Sequence, residues 1–259
     1  MFQMESMNLN DFQKKVLKEA SSTSGYGGFA VKSSIRHMER SVLLRESMPE
    51  IAAFVAITAE EESATAIFAA LKKRRYANAN ANKLKFWDHK HKSGISQFFD
   101  LIGGALGILK NEIPLELFFD SLNGNKKEKL WVRMPIGEDG DKKICIVPQP
   151  PLNLVSVEPN GKATDYLLKV REIASVRGID SIFKYIQEIA NERNKMLYAS
   201  NSSVSKVTNI DEVLTKHLSS AYRNHLIYLL IDQHAHQNLV QEALDVFLII
   251  LKRIDEKET

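Results

Sequence analysis

The residues best suited to chemistry are Glu61, Arg193, Asn194 and Tyr198, together with the run Asp88-His89-Lys90-His91-Lys92. Glu61 stands seven residues after Phe54, four after Ile57, four before Thr65 and seven before Phe68. On a helix that spacing places it on their apolar face. A carboxylate there is costly to bury without a partner, so Glu61 carries more information than its neighbours Glu60 and Glu62, one of which is expected to be solvated. Arg193 follows Ile186 by seven residues, Ile189 by four and Ala190 by three, and it too should face a core. The economical expectation is that Arg193 and Glu61 satisfy each other through charge-assisted hydrogen bonds. A purely structural ion pair is the plain alternative. The run from 89 to 92 offers two imidazoles and two ammonium groups, a set able to bind phosphate or transfer protons. It is equally readable as an exposed charged loop.

Helical periodicity is expected over 33–47, over 49 to about 76 with Pro49 in the first turn, and on to Leu109 after an Asn-rich break at 78–82. It returns over 163–176, breaks at Gly178, and restarts behind Asp180 as N-cap to about Tyr198. Two more helices are expected over 211–232 and 238–256. Residues 130–134 and 143–147 are β-prone runs around the turn-like 137–141, and they predict a hairpin insertion within about 126–160. The small-residue tract 21–28 predicts a flexible link. The domain reading is an N-terminal helix and link over 1–30, followed by a single helical domain over 31–259.

The chain of 259 residues is 44% hydrophobic and 26% charged, ordinary values for a globular protein. Its net charge of +3 permits RNA as a partner without arguing for it. Cys145, the single cysteine, rules out an intramolecular disulfide and fits a reducing compartment. Residues 1–10 have no long apolar core, so no secretory signal is expected. The apolar runs 98–109 and 246–254 are too short to span a bilayer, and the expected address is the cytoplasm. Glu61 or Glu62 with His89 and His91, or His234 with His236, are the candidate metal ligands. No Glu is followed by His at the third position, and the expectation is no metal and no cofactor. His217, His225, His234 and His236 read as polar positions of the C-terminal helices.

The stretch Glu192-Arg193-Asn194-Lys195-Met196-Leu197-Tyr198 resembles the signature of the HEPN superfamily, an Arg followed by Asn with a His a few residues on. Tyrosine at that last place is similar to the AbiV-like abortive-infection branch. The acidic stretch 58–66 and the segment 86–92 resemble two further parts of that branch. The resemblance implies an all-α HEPN-like bundle, here with a small β-hairpin insertion, that dimerises around a shared cleft. It implies a bacterial defence or toxin-type protein that targets RNA and cuts it without metal. Arg193, Asn194 and Tyr198 would act at the site, Glu61 would orient Arg193, and His89, Lys90, His91 and Lys92 would bind substrate. Because Tyr198 stands where the family has His, the alternative is a non-catalytic module binding a nucleotide, a protein partner or an antitoxin.

Overall fold

A computed structural model describes residues 9–80, 83–110, 115–122, 127–140, 142–153, 176–197 and 207–258; side chains are described over 180–194 within the fifth helix and up to residue 99 within the fourth. Among these residues the chain is mostly helical. The helices are α1 (Asp11–Ser21), α2 (Gly25–Leu44), α3 (Pro49–Lys73), α4 (His89–Lys110), α5 (Val176–Leu197), α6 (Ile210–Asp232) and α7 (Asn238–Glu258). Three strands, β1 (Glu116–Asp120), β2 (Lys129–Asp139) and β3 (Lys142–Ile146), form an antiparallel sheet in that order. The helix expected over 163–176 falls, up to residue 175, outside the described residues, and so does Tyr198.

Two compact units can be distinguished. The first comprises Met1–Ala70, Lys85–Gln97 and Ser181–Tyr228. Its α1 begins at a reciprocal cap, in which the Asn10 side chain accepts from the Gln13 N–H and the Gln13 side chain accepts from the Asn10 N–H. Of the tract expected to be a flexible link, Ser21 ends α1, only 22–24 connect the helices, and Gly25–Gly28 are the first turn of α2. Gly27 and Gly28 are buried, and a Cβ at Gly28 would stand 2.0 Å from the Thr23 carbonyl oxygen. These glycines are there for close approach, not for flexibility. Thr23 and Tyr228 share a hydroxyl hydrogen bond of 2.7 Å beside them.

Within this unit α3 is enclosed on most sides. Ala52, Ala56 and Leu214 pack together, Ala53 and Ile57 meet Ile189, and Ala59 meets Met38 and Ala221. The alanines let three neighbouring helices approach one central helix. Of the acidic triplet Glu60 and Glu61 are both buried and Glu62 is partly exposed, in line with the expectation that one of Glu60 and Glu62 meets solvent. A correction concerns α5, which runs unbroken from Val176 through Gly178 and Asp180, so Asp180 is no N-cap.

The second unit comprises Leu71–Leu84, Phe98–Asp180 and Leu229–Thr259. A hairpin is present as β2–β3, but Gly137, Glu138 and Asp139 of the expected turn belong to β2 and pair with Ile144, Lys143 and Lys142, so the chain turns only at Gly140 with φ +58°; Leu117 of the unexpected strand β1 pairs with Val132. The sheet therefore starts at Glu116, ahead of the expected insertion. Leu130, Trp131 and Val132 are buried, and the Trp131 ring lies 4.5 Å from that of His234. His234 Nε2 donates to the Leu130 carbonyl at 2.7 Å, and burial pushes its pKa down to about 4. His236 stacks on Tyr76 at 4.4 Å.

Candidate functional site

The first unit places Glu61, His89 and Arg193 together. Arg193 Nη1 donates to Glu61 Oε1 at 2.9 Å, the pairing expected from their helix faces. The arginine is held from its other side by the Phe54 ring, 5.3 Å from the guanidinium carbon. His89 Nδ1 lies 2.8 Å from Glu61 Oε2 and 2.8 Å from Arg193 Nη1. These two contacts make opposite demands on the ring. Donation to the carboxylate needs a proton on Nδ1, whereas acceptance from the guanidinium needs a lone pair there. The carboxylate, 5% exposed and acceptor-only, favours Nδ1–H. Nε2 is then left without a partner among the described residues, on a ring that is 58% exposed.

Local sequence explains how His89 arrives there. The Asp88 side chain accepts the Lys90 N–H at 2.9 Å, capping the start of α4 so that 89–92 form its first turn and not a loop. Two residues are about 200° of rotation on a helix, so the two histidines point to opposite sides. His91 is buried, with Nδ1 accepting the Lys85 N–H at 3.3 Å, and it belongs to the core. His89 and Lys90 face a pocket of about 310 Å³ that Glu61, Arg193 and exposed Asn194 also line. Of the residues expected to bind substrate, His91 and Lys92 are not in its wall. Of the candidate metal sets, Glu61 and His89 are adjacent while His91 turns away, and His234 and His236 serve the separate contacts already described.

One residue before each member of the Glu61–Arg193 pair lies a second network. His217 of α6, with no exposed surface, donates Nδ1–H to Glu60 Oε2 at 2.6 Å, and its Nε2 is 3.5 Å from Glu192 Oε2. The Tyr185 hydroxyl donates to Glu60 Oε1 at 3.0 Å, and Lys216 Nζ lies 3.4 Å from Glu192. Burial opposes charge on His217, but the bonds to Glu192 and Glu60 outweigh it and hold its pKa above the usual value. The same contact with His217 draws the Glu192 carboxyl down. Reading the helices as one-sided hid this network. Yet Glu60 follows Ala56 by four and precedes Ala64 by four, and His217 follows Leu214 by three and precedes Ala221 by four, so both signals stood in the sequence.

Compared with known proteins, the chain matches no family model, no curated protein and no solved structure.

Proposed function

We propose that this chain is an RNA-targeting protein of the bacterial defence or toxin type, HEPN-like and dimeric, that cuts RNA in the cytoplasm without metal. The observation that carries the proposal is His89, whose Nδ1 is fixed by Glu61 beside the Arg193 guanidinium at the wall of a nucleotide-sized pocket. A carboxylate that orients an imidazole leaves the other nitrogen as base. Nε2 of His89 takes the proton of a ribose 2′-hydroxyl as its oxygen attacks the adjacent phosphorus. The bond from phosphorus to the 5′-oxygen breaks, leaving a 2′,3′-cyclic phosphate and a protonated 5′-hydroxyl end. Arg193 offsets the charge that builds on the phosphoryl oxygens, and the Tyr198 hydroxyl is the proton source for the leaving oxygen. His89 thus fills the base role that tyrosine, with its ordinary pKa near 10, fills poorly at neutral pH.

The test is cleavage of total RNA and a labelled tRNA pool in EDTA by wild type, His89→Ala, Arg193→Ala and Tyr198→Phe, each checked for folding by circular dichroism. Cutting by wild type that vanishes in folded His89→Ala and Arg193→Ala is expected. Cutting that survives His89→Ala would remove the base assigned here. The second reading is a non-catalytic nucleotide-binding module, which the tyrosine at 198 favours. It predicts binding in the same pocket with no cleavage by any of the four.

A further inference from the structure

The outward face of α2 carries side chains that folding does not use. Tyr26 is 63% and Phe29 67% exposed, although the opposite face of the same helix buries Ala30, Val31, Ile35 and Met38. Along the outward face Phe29 is followed by Lys32, Arg36 and Arg40, the last two fully outward and without an ion pair among the described residues. Their four-residue spacing sets successive cations about 6 Å apart along the axis. Glu39 is the one carboxylate of the helix, and it is turned partly inward. Lys32 Nζ sits 5.4 Å from the Phe29 ring centre, so the cations join the aromatic end directly. That end continues toward the pocket. The Tyr26 ring meets Phe86 edge to face at 6.4 Å, and Trp87, 67% exposed, is next in sequence and two residues before His89.

We infer that the α2 stripe, running from Trp87, Tyr26 and Phe29 to Lys32, Arg36 and Arg40, binds single-stranded RNA flanking the nucleotide held in the pocket; this rests on the nuclease reading above. Exposed rings beside a row of cations match the two things a single strand offers, base faces for stacking and phosphates at regular intervals. A duplex hides its bases and would use only the cations. A second copy packed here about a two-fold axis would set the cationic stripe against its own like charges. A bilayer surface calls for a broad apolar face, and α2 has turned its own inward.

The test is fluorescence anisotropy with a labelled 2′-O-methyl oligouridine, which cannot be cut because it has no 2′-hydroxyl. The triple variant Phe29→Ala/Arg36→Gln/Arg40→Gln alters exposed positions, and Lys252→Gln/Arg253→Gln, which removes two exposed cations of α7, serves as the charge control. The expected result is binding that weakens with salt at a log–log slope of about −2 for three phosphates. The triple variant should bind at least tenfold more weakly, the control should remain near wild type, and a matched duplex should bind less well than the single strand. Equal binding by the triple variant overturns the inference. So does capture of wild type by phosphatidylserine vesicles in place of the oligonucleotide, or a dimer lost in the variant with no change in oligonucleotide affinity. If wild type holds the strand through the stripe yet cuts no RNA, the stripe stands and the nuclease reading fails. If it cuts RNA while the stripe variant binds equally well, the reverse holds.

Discussion

Glu60 and Glu61 are adjacent on α3, are both buried, and each meets a histidine and a residue of α5, yet their surroundings differ in kind. Glu60 is sealed: His217 and Tyr185 take both its oxygens, and the imidazole has no exposed surface. Glu61 is open on one side: its partners Arg193 and His89 stand in a pocket wall, 21% and 58% exposed. A turn of about 100° around one helix axis separates a carboxylate that fastens helices from one that presents groups to solvent. Burial of a charge therefore marks a site only when its partners reach a cavity.

Removing one partner of the sealed pair should have the largest effect. His217→Leu leaves Glu60 a buried charge with only the neutral Tyr185 hydroxyl as partner and should cost about 3–5 kcal/mol in urea denaturation. A loss below about 1 kcal/mol would mean that the network is not closed. The pH dependence has a definite sign. Since folding raises the His217 pKa, its stabilisation is complete below about 6.5 and is lost as pH rises through the higher folded value. His217→Gln should flatten that part of the stability–pH curve.

The open pair should respond less. Arg193→Ala removes a charged hydrogen bond but leaves Glu61 its His89 contact and access to pocket water, so about 1.5–3 kcal/mol is expected, with the larger consequence in function. A greater stability loss than in His217→Leu would invert the comparison.

His225 extends it to a sealed histidine that is neutral. Ser34 Oγ donates to the Ala59 carbonyl, so His225 Nε2–H donates to Ser34, while buried Nδ1 meets no partner among the described residues. Burial alone pushes its pKa down to about 3. Here the sign is opposite: stability is whole above about 6.5 and is lost as pH falls toward 3, by about 2 kcal/mol between pH 6.5 and 5. A denaturation series in wild type and His225→Gln should show a shallower acid slope in the variant, where only His234 keeps its share. Asn194→Ala, at an exposed position of the pocket rim, should move stability by less than about 0.5 kcal/mol while altering ligand affinity.

The sequence by itself located most of the described helices, though not all their bounds, because apolar residues recurring every three to four positions have one low-energy arrangement. It also determined that Glu61 and Arg193 face inward, and that the β-prone runs 130–134 and 143–147 are strands, although most of the first pairs with β1 and not with the second. It misread tract 21–28, since small residues that permit flexibility equally permit the close contacts that Thr23 and Tyr228 make there. It missed β1, whose five residues carry too short a pattern to stand out alone. Only the tertiary structure decided that α3 is enclosed on several sides, which buries Glu60 beside Glu61. It also decided that of His89 and His91 the first meets Arg193, a residue 104 positions away, while the second enters the core. Periodicity fixes the direction of a side chain from its own helix axis; what it meets there is set by the packing of other helices, which no local pattern encodes.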